Sequence, residues 1–190
     1  MIGQKTFGSG DLNLAAALTT MGVPPDSRKP IELIARDNGR DYTRFHFLPL
    51  SLCGKYSPEA LSAAWGDPVT FKAANPAHPF SVLMDFISAR PQGCTNKDEW
   101  LQHAAKFLGL SMDAVRKTYS GIEQTCKASP ESPASYVLAF IRNRIDLITT
   151  AKKLAAAGDF SNMQDRGKSV SIIPAKAPKR IRDFLISHIR

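Results

Sequence analysis

One long segment constrains the fold of this chain more than any other. The sequence runs from Ala134 to Ala157 without a glycine or a proline, with Ser132 and Pro133 before it and Gly158 after it. Serine favours a helix cap, proline the first helical position and glycine the helix end. Apolar residues recur at helical spacing, at Val137, Phe140, Ile141, Ile145, Ile148, Ala151, Leu154 and Ala155. We predict one long helix, which serves either as a core helix or as the surface for a protein partner.

The composition indicates a folded, basic protein. Of its 190 residues, 43% are hydrophobic, which is too many for a disordered chain and enough for one domain with a hydrophobic core. Lys and Arg number 25 against 17 Asp and Glu, so the formal net charge is +8. A positive charge of this size favours a polyanionic partner such as nucleic acid, but it says nothing about the fold.

The remaining pattern predicts an α+β fold that is mostly helical. An N-terminal helix from Leu12 to Met21 precedes a β-hairpin with strands 31–35 and 42–48 around the turn dipeptide Asn38-Gly39. In the return strand, Phe45 and Phe47 alternate with Arg44 and His46. This helix and hairpin are expected to pack on a helical C-terminal part. The two regions, 1–75 and 76–190, form either two units or one continuous domain.

Capping residues, prolines and glycines indicate where the other elements begin and end. Helices are expected from the Ser57-Pro58 cap to Gly66, at 80–90, and from a capping box at 95–98 to Leu108. A short strand is predicted at 67–71, a loop at 159–168, a strand at 170–173 and a last helix at 178–189.

The segment 101–120 has the pattern of two short helices joined by a sharp turn. Ala105 is small, so a second helix can approach it, and Gly109 can adopt the positive φ angle that such a turn needs. Leu108 and Leu110 flank the turn and are expected to be buried, while Val115 is expected to face back toward Ala105.

This pattern, Ala104-Ala105-x-x-Leu108-Gly109-Leu110-Ser111-x-x-x-Val115, resembles the helix-turn-helix family of DNA-binding regulators. The resemblance implies that the second helix enters the major groove of DNA. It implies contacts to nucleic acid from Ser111, Met112, Arg116, Lys117 and Ser120. Thr118 and Asp113 depart from the family pattern, and an ordinary helical hairpin would have the same turn residues.

The positive charge is concentrated near the C-terminus. Seven cations and one carboxylate lie between Arg166 and Arg190. Four of these cations, Lys176, Lys179, Arg180 and Arg182, fall within seven residues and predict either a phosphate clamp or a solvated terminal helix. By contrast, Arg142 and Arg144 are expected on the solvated side of the long helix.

The sequence carries no signature of a metal site, a cofactor or a catalytic site. Its three cysteines, Cys53, Cys94 and Cys126, are widely spaced, and its four histidines are scattered. We therefore expect free thiols, a cytoplasmic protein and no bound metal or cofactor. No apolar run is long enough to cross a membrane, and no signal peptide is recognisable.

The N-terminal third resembles, loosely, a short uncharacterised domain of bacterial and phage proteins. The resemblance rests on Phe7, Gly22 and the pattern Asp11-Leu12-x-Leu14-Ala15-Ala16-x-Leu18. It suggests origin in a phage or mobile element and implies no chemistry.

Three functional hypotheses follow. The leading one is a non-enzymatic nucleic-acid-binding protein, a DNA-binding accessory factor or regulator. The alternative is a protein-interaction module, such as a phage-encoded inhibitor or a subunit of a larger assembly. The third is an enzyme whose site forms from distant segments. The oligomeric state does not follow from the sequence.

Overall fold

The computed structural model of the 190-residue chain describes residues 7–34, 42–48, 53–92, 94–129, 132–158 and 160–161. It contains eight helices and four short strands within these ranges. The helices are α1 (Leu12–Thr20), α2 (Pro58–Gly66), α3 (Pro68–Ala74), α4 (Pro79–Ser88), α5 (Lys97–Leu108), α6 (Met112–Ser120), α7 (Ile122–Ala128) and α8 (Pro133–Ala156). The strands are β1 (Phe7–Ser9), β2 (Ile31–Ile34), β3 (Tyr42–Phe47) and β4 (Phe160–Ser161). The predicted α+β class, mostly helical with an N-terminal helix and a hairpin, is confirmed.

The four strands form one small sheet in the order β1-β3-β2-β4. β3 pairs antiparallel with both β1 and β2, so that Phe45 lies opposite Ser9 on one side and Ile31 on the other. β4 pairs parallel with β2. The loop predicted at 159–168 is therefore wrong at Phe160 and Ser161, because these two residues extend the sheet edge.

The two faces of β3 separate apolar from polar side chains as the alternation predicted. Phe45 and Phe47 are buried in the core, while Arg44 and His46 are only half-buried. Because successive side chains of a strand point to opposite faces, the sheet packs its apolar face inward.

Helix ends follow the cap residues, with two corrections. Asp67 accepts a hydrogen bond from the Thr70 amide, and Pro68 occupies the first helical position, so the predicted strand at 67–71 is instead the start of α3. The capping box of α5 lies one residue later than predicted. Asn96 accepts from the Glu99 amide, and the Glu99 carboxylate accepts from the Asn96 amide.

The long helix α8 is the centre of the core. Its first half carries fully buried side chains at Val137, Leu138, Phe140 and Ile141. Residues on both sides of position 75 contribute to the same apolar cluster, including α1 from the N-terminal region. These contacts favour the core-helix interpretation for the first half of α8, since burial of each such side chain contributes about 1.5–3 kcal/mol.

Polar bonds join α1 to α8 beside this apolar contact. Asn143 donates to the Thr20 hydroxyl at 3.0 Å, and Arg144 donates to the Asn13 side-chain oxygen at 3.0 Å. The three cysteines are free, as predicted. The Asn38-Gly39 turn, the strand at 170–173 and the helix at 178–189 lie outside the described residues.

Candidate nucleic-acid interface

A left-handed glycine connects α5 to α6. Gly109 has φ 66° and ψ 29°, and the Gly109 and Leu110 amides both donate to the Ala105 carbonyl oxygen. Ser111 then caps α6, because its hydroxyl oxygen accepts from the Ala114 amide at 3.2 Å. The predicted helix–glycine–helix arrangement is present, with the cap residue Ser111 two residues after Gly109 and the first helical residue, Met112, three residues after it.

The inner face of α6 is buried. Val115 is 0% exposed and Ala105 on α5 is 7% exposed, in agreement with the expected packing. Leu110, however, is 41% exposed, so its predicted burial is wrong. It follows the left-handed residue and lies in the connection between the helices, where neither helix covers it. Leu108, the other flanking leucine, is half-buried against the core.

Four of the polar side chains of α6 share its outer face. Asp113, Arg116, Lys117 and Ser120 are all exposed and lie three or four residues apart along the helix. The Ser120 hydroxyl donates to the Lys117 carbonyl oxygen at 2.7 Å. Two neighbouring cations are thus presented to solvent, with the Asp113 carboxylate one turn before them.

Met112 does not join this face. It is half-buried and packs against the core, so its predicted position among the exposed contacts is wrong. Val115 and Tyr119, both buried, lie three and seven residues further on, which places all three on one helical stripe. The spacing of Met112, Val115 and Tyr119 by three and four residues is the sequence signal that identifies Met112 as a core residue.

The four C-terminal cations that were predicted to contact nucleic acid are outside the part of the chain that the structure describes. They are Lys176, Lys179, Arg180 and Arg182. The structure therefore brings together Ser111, Arg116, Lys117 and Ser120 alone, and Ser111 is already engaged as the helix cap.

The two arginines of α8 differ in environment although only one residue separates them. Arg142 is exposed and pairs with Asp146 at 3.1 Å, as expected for a solvated side. Arg144 is half-buried, and its guanidinium carbon lies 4.7 Å from the centroid of the Trp100 ring. Its predicted solvated position is wrong, because the indole of α5 and the side chain of Asn13 enclose it.

Two adjoining cavities lie along α8. One, of about 270 Å³, lies between α7 and α8, and the other, of about 220 Å³, between α1 and α8. They share Cys126, Ala139 and Asn143. A protein partner that used α8 would meet this groove or the second half of the helix, since Val137, Leu138, Phe140 and Ile141 in the first half are fully buried.

The sheet carries a histidine–carboxylate pair that was not predicted from the sequence. His46 on β3 and Glu32 on β2 approach to 3.0 Å, and Lys29 lies 2.9 Å from the other Glu32 oxygen. The register of the hairpin is the signal that could have identified this pair. Glu32 on β2 lies opposite Arg44 on β3, and His46 is two residues further along β3, on the same face as Arg44. Neither of the two cavities along α8 includes these residues.

No protein-family model, curated protein or solved structure matches this chain. The resemblances of residues 101–120 and of the N-terminal third therefore stay predictions. Within the part of the chain that the structure describes, no helix is both long and apolar enough to cross a bilayer.

Proposed function

We propose that this protein binds nucleic acid, DNA in the first instance, through the outer face of α6. The observation that carries the proposal is the exposed pair Arg116 and Lys117 on a helix whose opposite face is held in the core by Val115 and Tyr119. A rigid helix with an exposed cationic face has the shape and charge for the major groove, where Arg pairs with guanine or a phosphate and Lys contacts a phosphate.

The charge distribution supports a second, non-specific component. The face of α6 carries two cations and the Asp113 carboxylate, which is a modest net charge for binding DNA. The seven cations between Arg166 and Arg190 supply more positive charge than α6 does. In this proposal α6 gives orientation, and the C-terminal segment gives most of the salt-dependent affinity.

The proposal is tested by titrating labelled duplex DNA with the full chain and measuring fluorescence anisotropy at several salt concentrations. The double substitution Arg116→Ala and Lys117→Ala is expected to weaken binding and to reduce the slope of log K against log salt by about 2. Lys152→Ala with Lys153→Ala is the matched control, since it removes the same charge from exposed positions at the end of α8. The control is expected to change the slope by less than half as much.

Two results would contradict the proposal. One is the absence of binding to duplex or single-stranded nucleic acid at low salt. The other is an equal loss of affinity in the α6 variant and the α8 control, which would indicate attraction to net charge alone. A stable complex with a protein partner that survives moderate salt, with no nucleic acid bound, would favour the protein-interaction module instead.

A further inference from the structure

Lys55 is an exposed cation that lines the cavity between α1 and α8. It lies three residues before α2, and its Nζ lies 5.3 Å from the ring centroid of Tyr56 and 5.2 Å from that of Tyr136. A Cβ added at Gly22 would lie 3.2 Å from the Lys55 Cβ, so the Lys55 stem lies close to the Gly22 backbone. These contacts hold the ammonium group beside the cavity, because a cation is attracted to the faces of aromatic rings.

The Lys55 ammonium group has unused hydrogen-bonding capacity. Among the described residues it forms neither an ion pair nor a hydrogen bond. Lys29 and Lys72, by contrast, pair with the carboxylates of Glu32 and Asp85. An ammonium group carries three donors and no acceptor, so a negatively charged ligand atom can accept directly from Lys55.

The cavity beside Lys55 has a volume of about 220 Å³ and a polar lining. Among the described residues that line it, Lys55 is the one charged group. Hydroxyl, thiol and amide side chains make up most of the rest of the lining, on Thr19, Thr20, Cys126, Ser135, Tyr136 and Asn143. The adjoining cavity between α7 and α8 is lined instead by two carboxylates, Glu123 and Asp146, and one cation, Arg142. An anion is therefore favoured at the Lys55 end of the groove.

Asn143 lies in the wall that the two cavities share, and Thr20 fixes the orientation of its amide. The Thr20 hydroxyl donates its proton to the Ala16 carbonyl oxygen at 2.8 Å, so it accepts from Nδ2 of Asn143 at 3.0 Å. Within the described part of the chain, the Asn143 Oδ1 and the second Nδ2 proton have no partner. The side chain thus offers one acceptor and one donor to a ligand.

We propose that the cavity between α1 and α8 binds a small organic oxyanion, with its carboxylate or phosphate group against Lys55 and a neutral polar group against Asn143. Lysine presents a compact charge with three donors, and its hydrogen bonds to either group are strengthened by charge. The volume of the cavity restricts the occupant to a small molecule. The site shares no residue with α6, so it stands whether or not the α6 proposal does.

Cys126 provides a probe of this cavity, because its half-buried thiol lines it. Two methanethiosulfonate reagents of equal length, one ending in a sulfonate and the other in a trimethylammonium group, are reacted with the full chain. Each rate is divided by the rate of the same reagent with a free thiol in solution. Peptide mass spectrometry separates Cys126 from the buried Cys53 and Cys94. We expect Cys126 to prefer the sulfonate about fivefold or more.

Substitutions of Lys55 separate its charge from its packing. Lys55→Met keeps an apolar stem against Gly22 and should remove the preference for the sulfonate, whereas Lys55→Arg should keep it. Lys127→Met is the matched control, because Lys127 is exposed, follows Cys126 in sequence and is not among the residues that line the two cavities. The control should change the preference by less than about twofold. The same preference in the wild type and Lys55→Met, or an equal loss in Lys127→Met, would overturn the proposal.

Competition by simple anions identifies the charged group of the ligand. The neutral reagent iodoacetamide alkylates Cys126 while sodium acetate or sodium phosphate replaces sodium chloride at constant ionic strength. A saturable decrease in the rate with acetate supports a carboxylate ligand, and a decrease with phosphate supports a phosphate ligand. Either decrease should be lost in Lys55→Met. A rate that neither anion changes, or a decrease that persists in Lys55→Met, would overturn the proposal. No nucleic acid is present, so the result is separate from that of the α6 titration.

Discussion

The imidazole of His103 stacks on the phenyl ring of Phe86, with ring centroids 4.4 Å apart and planes inclined by 18°. Its Nε2 lies 2.7 Å from the Phe86 carbonyl oxygen, near the end of α4. A carbonyl in the last turn of a helix has no partner within that helix. His103 therefore closes α4 with a side chain from α5, inside a cluster of aromatic rings.

This environment predicts an acid-sensitive fold. Burial lowers the pKa of His103 below its usual value. The folded state therefore holds a neutral imidazole where the unfolded chain, below about pH 6.5, binds a proton. The resulting stability is present above that pH and falls as the pH drops, by at most about 1.4 kcal/mol per pH unit from this group.

Urea unfolding at several pH values between about pH 5 and about pH 7.5 measures this dependence. His103→Gln keeps an amide donor for the Phe86 carbonyl but does not titrate. We expect the variant to flatten the curve over this range. A slope equal to that of the wild type would assign the acid sensitivity to other groups.

Gly109 tests the geometry of the connection between α5 and α6. A Cβ added there meets open space, so Gly109→Ala is opposed only by the φ angle of 66°. The expected loss of stability is about 1–2 kcal/mol, measured by urea unfolding. Gly54→Ala is the control, because that position is equally open and is not among the glycines with positive φ. Equal effects at the two positions would argue against a left-handed turn at Gly109.

Local signals predicted most of the fold correctly. Gly22 and Gly109 both adopt the positive φ angles expected of helix ends, and Ser57 caps α2 as predicted. These features depend on neighbours in the sequence. The error at 67–71 is of the same local kind, since Asp67-Pro68 is as good a helix start as Ser57-Pro58.

Features made by distant residues were not predictable in this way. Nothing near Arg144 in the sequence indicates that Trp100 and Asn13 enclose it, because they belong to two other helices. The same holds for Cys126, which lines both cavities along α8. The outer face of α6 was predictable because helical period alone separates Arg116 and Lys117 from Val115.

Asp113 should oppose the binding of DNA by α6. Its exposed carboxylate lies three and four residues before Arg116 and Lys117, so it repels phosphates that those cations attract. Asp113→Asn is expected to strengthen binding roughly two- to fivefold at low salt, and the gain should shrink as salt screens the charge. Anisotropy titrations measure the effect. Asp146→Asn, on α8, should leave affinity within twofold, and a larger gain from Asp146→Asn would place the DNA elsewhere.

The C-terminal cations should account for most of the salt dependence. Replacing Lys176, Lys179, Arg180 and Arg182 by Gln in the full chain removes four of the seven cations between Arg166 and Arg190. If all four contact phosphates, the slope of log K against log salt should become shallower by about 3–4. Sequence preference, measured as the ratio of Kd values for two unrelated duplexes, should stay within twofold because these contacts read no bases. A lost preference with an unchanged slope would assign base recognition to this segment and remove it from α6.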